Sequence, residues 1–245
     1  EYEELLKRIR AAPWLHIDET GHKVEGEKAW LWVFRTGQND VLIAIRPDRS
    51  KAVVDEILGD NPDQAIVVDG AKAYNGRRKQ RCWAHLLRII DEARDASSHA
   101  LALSTRVHAI YQDLVTFHDE EHPIPEREAK RAEIATQIER VLNDFAQHPT
   151  LDDKLTYLRN GGAEWTTCLL FPATRNTPAM PATNNPAEHA VREHVVRRKR
   201  CQTFRSEQGA QRYQYATSLL DSWRLQGKDP FAELEALLRR DLYLK

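Results

Sequence analysis

Two aspartates stand where strands are expected to end. Asp18 closes "WLHID" and Asp69 closes "AIVVD". Carboxylates are poor strand residues, so each needs a cause. The local cause is turn chemistry, since "DETG" and "DGAK" both have turn composition. A third carboxylate, Glu188, sits near the head of the basic segment "NNPAEHAVREHVVRRKR". Its local cause is helix capping: Asn185 suits a cap, Pro186 the first helical position, and Glu188 follows three residues after the cap. The other cause is collective. If the first and fourth strands are neighbours and a helix starts near Glu188, three acids gather. They would repel one another unless a cation joined them. Oxygen donors with no histidine partner favour Mg²⁺ or Mn²⁺. Taken singly, either cause accounts for each residue.

"CWAH" places Cys82 and His85 at a Cys-x-x-His spacing. It is a weak zinc half-site, because no second Cys/His pair stands at a suitable spacing. A buried Cys82 packing with Trp83 is the favoured reading. Trp14, Trp30, Trp32 and Trp165 read as core residues. The base-stacking alternative for Trp165 is the weaker one.

Charge is sorted by segment although the net charge is -1. Residues 70 to 90 hold Lys72, Arg77, Arg78, Lys79, Arg81 and Arg88 and no acid. Residues 188 to 205 hold Arg192, Arg197, Arg198, Lys199, Arg200 and Arg205 against Glu188 and Glu193. Such sorting is what a basic groove on a neutral protein requires. Two solvated helix faces would give the same pattern.

These residues need elements to position them. Residues 1 to 10 read as a short helix. "WLHID", "KAWLWVF" and "VLIAI" read as strands, with "TGQND" as the hairpin loop between the last two. "SKAVVDEILGD" reads as a helix capped by Ser50, with Val53, Val54, Ile57 and Leu58 on one stripe. "AIVVD" has the all-apolar texture of a strand buried on both faces. The start is therefore β-β-β-α-β. After residue 90 the period becomes helical: Leu103, Val107, Ile110, Tyr111 and Leu114, then Ile134, Ile138, Val141, Leu142 and Phe145 beyond the break at "HPIPE". "LDDKLTYLRN" reads as a further helix closed by Gly161 and Gly162. "FPATRNTPAMPATNNP" is a long loop of the kind that carries function or mobility. The tail returns to helix, with Tyr213, Ala216, Leu220 and Trp223 on one face, followed by a last helix with Phe231, Leu234, Leu237, Leu238 and Leu242.

Composition bounds the class. The chain has 245 residues, 41% hydrophobic and 30% charged, which suits a globular protein of one large domain or a core with an insertion. No apolar run approaches the roughly 18 residues of a membrane span, and the start lacks a signal-peptide pattern. The three cysteines are scattered, which points to reduced thiols, a cytoplasmic setting and no disulfide framework.

"HIDETG", "WLWVF", "VVDGAKAYN", "CWAHLLR" and "NNPAEHAVREHVVRRK", in this order, resemble the catalytic region of bacterial and archaeal transposases of the insertion sequence 66 type. The resemblance runs from about residue 12 to the C-terminus. It implies an α/β fold with a ribonuclease-H-like core and a mixed sheet. Residues 1–90 would form the first part of that core and 91–183 an all-helical insertion. Residues 184–245 would hold the catalytic helix and the C-terminal helices. It implies that Asp18, Asp69 and Glu188 are the DDE triad and hold two Mg²⁺ or Mn²⁺ ions for DNA strand cleavage and strand transfer. Arg192, Arg197, Arg198 and Lys199, with Arg77, Arg78 and Lys79, would bind DNA. Cys82, His85, Asn184 and Asn185 would support the site. The implied partners are double-stranded DNA, as transposon ends and target, and further copies of the chain on DNA. The implied setting is the nucleoid of a prokaryotic cell, with no membrane. Relatives carry N-terminal segments before this region, so the chain reads as a fragment or a shortened protein. Many carry Arg where this chain has His189, with Arg192 one turn away. The rival readings are a metal-dependent nuclease without strand transfer and a catalytically idle DNA-binding or assembly module.

Overall fold

The computed structural model describes residues 1–201 and 203–243, the side chains of 241–243 excepted, so the side chain of Leu242 lies outside the described residues. In chain order the elements are α1 (Tyr2–Ala11), β1 (Trp14–Val24), β2 (Glu27–Thr36), β3 (Val41–Arg46), α2 (Lys51–Leu58), β4 (Ala65–Val68) and β5 (Arg78–Arg81). There follow α3 (Trp83–Asp91), α4 (Ser98–His118), α5 (Ile124–Asp144), α6 (Asp152–Gly161), α7 (Asn185–Cys201), α8 (Glu207–Leu225) and α9 (Pro230–Tyr243). Short 3₁₀ segments intervene, the longest at Gly162–Leu170. The chain is thus mixed α/β, with the expected β-β-β-α-β order after α1. It divides into two compact units, residues 1–64 with 186–245, and residues 65–185. β4, β5 and Asp69 thereby group with the helical block.

In the first unit, β1, β2 and β3 form an antiparallel meander. The β1–β2 turn is Glu25–Gly26, both at positive φ (53° and 87°), the signature of a two-residue type I′ hairpin. This corrects the expectation that the first strand stops at Asp18. "ETGHKV" continues the strand because each of its residues pairs with β2, from Glu19↔Trp32 to Val24↔Glu27. "DETG" is therefore not a turn. The loop "TGQND" does turn the chain, with Thr36 N–H donating to the Asp40 carbonyl at 3.0 Å. In α2 the expected stripe of Val53, Val54, Ile57 and Leu58 is buried, while Ser50 at the cap makes no side-chain cap bond.

The outer edge of β3 is sealed by α8. The N–H groups of Val41, Ile43 and Ile45 donate to Ser222 Oγ (2.8 Å), Ser218 Oγ (2.8 Å) and Gln214 Oε1 (3.0 Å). The spacing fits: four helical residues rise about 6 Å and two strand residues about 6.8 Å. This reverses the apolar face expected of α8. Gln214, Thr217, Ser218, Asp221 and Ser222 are buried, whereas Leu220 is 38% exposed. An edge strand needs partners for its outward N–H groups, and polar side chains supply them. Trp223 is buried as expected.

The second unit begins with β4 and β5, which pair in parallel from Ala65↔Arg78 to Val68↔Arg81. The rest is helical, as the period after residue 90 predicts. Leu103, Val107, Ile110 and Leu114 of α4 and Ile134, Ile138 and Val141 of α5 are buried. α6 closes at Gly162, with φ +47°. Trp14, Trp32 and Trp165 are buried, but Trp30 is only half-buried. No described helix is long and apolar enough to cross a membrane.

Replacing Ser218 with Ala should leave the Ile43 N–H buried without an acceptor. We expect a loss of about 1–3 kcal/mol in unfolding free energy, read by denaturant titration, with the m-value unchanged. A loss below ~0.5 kcal/mol would show that α8 does not seal the edge.

Candidate functional site

In the first unit, register places Asp18. It lies opposite Val33, and His16 lies opposite Arg35. Directly opposed residues share a face, so His16, Asp18, Val33 and Arg35 project from one side of the meander. Leu31, Val33, Val41 and Ile43 pack there against Val191 of α7, with Ala190 and Val195 alongside. Glu188 lies three residues before Val191 and seven before Val195, on the same helical stripe. Arg35 fastens the start of α7 by donating from Nη1 to the Pro186 carbonyl at 3.2 Å. Burial lowers the pKa of that guanidinium. Asp18 and Glu188, both half-buried, thus belong to two surfaces packed on each other within one unit.

Glu19 shows the contrast. It points to the opposite face, where its carboxylate is buried and paired with Arg49. Asp18 accepts a local bond from the Glu19 N–H at 2.9 Å.

α7 starts at Asn185, so Asn184 occupies the position before the helix. The acid of a capping box accepts from that residue's N–H, but here the Asn184 N–H reaches Cys82 Sγ, at 3.1 Å. Asn184 is buried. A carboxylate in the first turn is still favoured by the helix dipole.

α7 is held by α8 through polar contacts, buried at His194 and exposed at Arg224. His194 Nδ1 is 2.8 Å from the Tyr213 hydroxyl, and Arg224 pairs with Glu193 at 2.7 Å. Burial raises the pKa of the Tyr213 hydroxyl, and the Arg197 charge acts on it to oppose that larger rise. Asp221, at 3.7 Å from His194 Nε2, is too far for a hydrogen bond. Burial, reinforced by Arg197, pushes the His194 pKa down to about 4. Burial raises that of Asp221. Beyond this cluster Arg192, Lys199 and Arg200 are exposed and Arg198 half-buried.

In the second unit, Asp69 follows β4 at the C-terminal end of a parallel pair, the edge where such sheets present ligand-binding residues. Turn chemistry does operate here: Asp69 Oδ1 accepts from the Ala71 N–H at 2.8 Å. Gly70 sits at φ +98°, and a Cβ there would stand 2.5 Å from the Arg81 guanidinium, so only glycine fits. The helical block braces this turn. The Tyr157 hydroxyl donates to the Asp69 carbonyl at 3.0 Å. Arg81 lies over the rings of Tyr157 (4.8 Å) and Trp165 (5.5 Å), with Glu164 at 3.6 Å.

Cys82 and His85 share that edge. The Cys82 N–H donates to the Val68 carbonyl at 2.9 Å, and the His85 N–H to the Cys82 carbonyl at 3.2 Å. Cys82 is fully buried beneath the Asn184 amide. His85, in the first turn of α3, is half-buried. The basic run before them is split by its strand. Lys79 is buried and pairs with Glu164 at 3.0 Å, so it is turned inward. Arg78 is exposed, with its guanidinium 6.0 Å from the Phe171 ring centre, and Arg77 is half-buried. Sequence reasoning did not find Tyr157, Arg81 and Glu164 as braces or Arg35 as an anchor. The one available signal was the Asp-Gly pair after a buried strand.

The polar cluster under α7 makes stability depend on pH. Folded His194 titrates near 4, whereas in an unfolded chain it titrates near 6.5. Between those values the unfolded chain holds a proton that the folded one refuses. Stability present above about pH 6.5 should fall by roughly 2–3 kcal/mol as pH drops toward about 4. The raised carboxyl of Asp221 acts in the opposite direction, just above its ordinary range. Unfolding free energies from pH 7 to pH 4 should fall less steeply in His194→Gln than in the wild type. Identical slopes would assign the loss to other groups.

Comparison with known families matches residues 1–212 to the model of the transposase IS66 family. No curated protein and no solved structure matches the chain.

Proposed function

The chain belongs to the transposase IS66 family, whose implied partner is DNA, and from that premise we propose that it cuts and joins DNA strands using Asp18, Asp69 and Glu188. One observation carries this reading. Asp18 stands inside a continuous strand, on the face that α7 covers, and α7 projects Glu188 from its first turn toward that same face. A turn does not account for Asp18, which lies within β1 and pairs with β2.

The donor set suits a hard divalent cation: three carboxylates, with Asp18 and Glu188 drawn from facing surfaces of one unit. Asp18, Asp69 and Glu188 would hold Mg²⁺ or Mn²⁺, two ions in this reading. Bound there, the metal would lower the pKa of an attacking oxygen and take up charge on a leaving oxygen. The remaining roles fall to the chain. The Asp69 turn, held by Tyr157 and closed around Gly70, keeps that carboxylate in place without a flexible hinge. Arg192, Arg197, Arg198 and Lys199 neutralise phosphates along α7, and Arg77 and Arg78 bind DNA from the second unit. Lys79, already neutralised by Glu164, is left out. Asn184 and Asn185 shape the entry to α7, with Cys82 and His85 in support. A ribonuclease-H-like core, assembly as a dimer or larger on double-stranded DNA, and a nucleoid setting complete the proposal.

An assay with pre-cut ends tests the reaction class. Joined product supports a transposase, cuts without joining a plain nuclease, and neither an idle binding module. Glu188→Gln, Asp18→Asn and Asp69→Asn should each abolish cleavage. Their metal-free melting temperatures should be unchanged or raised, because one of three crowded negative charges is gone. Mg²⁺ should stabilise the wild type more than any of them, by mass action. A Glu188→Gln protein that cuts at the wild-type rate would refute the triad.

The α7 track has its own readout. Each phosphate contact contributes about -0.9 to the slope of log K against log salt. Arg198→Ala with Lys199→Ala should flatten the slope for duplex binding by about one to two. An unchanged slope would place both residues on a solvated face.

A further inference from the structure

The face of the meander opposite α7 carries a second cluster that the proposed chemistry does not use. Register puts Lys23 directly opposite Lys28, and Gly21 directly opposite Trp30. Opposed like charges on neighbouring strands are destabilising, and among the described residues neither lysine forms an ion pair. Lys28 Nζ and the Arg49 guanidinium each lie 5.3 Å from the centre of the Trp30 ring. Trp30 is half-buried, whereas Trp32, next on the same face, is fully buried.

A glycine opposite an aromatic is commonly explained by the ring lying across it. That explanation fails here, since nothing lies within 4 Å of where a Gly21 Cβ would be. The missing side chain leaves open space beside Trp30, on a sheet face that also carries Lys23 and Lys28. A partly open aromatic between cations is the combination that holds single-stranded nucleic acid, with bases stacked on the ring and phosphates drawn to the charges. A duplex cannot use the ring, because its bases are already stacked.

The geometry points to a second DNA contact: an unpaired base stacks on Trp30 in the space left by Gly21, while Lys23 and Lys28 hold its flanking phosphates. A base arriving on Trp30 displaces the Lys28 ammonium from the ring toward the phosphates, while Arg49 stays with Glu19. This rests on the reading of the chain as a DNA-cutting enzyme, and it supplies what such an enzyme handles at a frayed or nicked end.

The test uses the full chain in EDTA, with fluorescent oligothymidylate as the single-stranded probe and a mixed-sequence duplex as the comparison. Trp30→Ala should weaken oligothymidylate binding roughly 5- to 100-fold, as removal of a stacking aromatic does, and leave duplex binding within about twofold. Lys23→Ala with Lys28→Ala should flatten the single-strand salt slope by about 1.4. Should Trp30→Ala lower the melting temperature, Gly21→Val decides, because its side chain enters open space and needs no repacking. It should also weaken single-strand binding. Gly21→Val and the lysine pair binding oligothymidylate with wild-type Kd and slope would overturn the inference. Equal weakening for both probes would overturn the stacking contact and leave a general phosphate patch. A wild-type chain that binds duplex but not oligothymidylate would sink this inference alone, whereas binding to neither would sink the DNA reading itself.

Discussion

The seam between α8 and the edge of β3 governs the first unit. Three backbone N–H groups of an edge strand must find acceptors, and Ser222, Ser218 and Gln214 supply them at matching intervals. Once α8 is fixed to that edge, its Tyr213 and Arg224 are placed to hold α7. Arg35 then pins the other end of α7 to β2. The direction in which Glu188 points is thus set by bonds made some distance from it. A buried polar seam is a demanding device, since an unmade bond costs more than a made one contributes. It also leaves little freedom of register.

Neighbouring charges meet opposite fates according to face. Glu19 is neutralised by Arg49, while Asp18, one residue earlier, lies toward α7. In β5 the alternation sends Arg78 outward and Lys79 inward to Glu164. Arg81 is buried too, stacked on Tyr157 and Trp165. Half of what reads as a basic surface in that segment is structural. The basic run of α7 is different, because most of it stays at the surface.

The helical block does mechanical work for Asp69. Tyr157 takes its carbonyl, and Arg81 fills the place where any side chain at residue 70 would stand. Gln80 ties the same strand to the 3₁₀ segment, accepting from the Cys168 N–H at 2.7 Å and donating to the Trp165 carbonyl at 3.2 Å. The Gln80 amide, satisfied on both of its polar atoms, fixes that strand to the 3₁₀ segment, while Arg81 Nε is held by stacking and charge with no hydrogen-bond partner among the described residues. Tyr157 and Arg81 together keep the turn at Asp69 in place.

Much of the fold was legible in the residues. Alternation and β-branched texture announced β2, β3 and β4, the four-residue stripe announced α2, and the longer helical period announced α4 and α5. The two aspartates stood out as residue types that strands use poorly, whereas Glu188 suits the first turn of a helix and was singled out by the resemblance. Periodicity speaks only about apolar faces, so it misread α8, whose buried face is polar because it serves a strand edge. It also stopped β1 at Asp18, since only pairing with β2 shows that "ETGHKV" is strand. Residue type alone could not separate Asp18 from Glu19, or Arg78 from Lys79, because a strand sends successive side chains to opposite faces. Nor could it show Tyr157 behind Asp69, 88 positions apart in the chain. Local patterns determined which elements form. Which face each charge occupies, and what braces it, was decided by pairing register and by contacts distant in sequence.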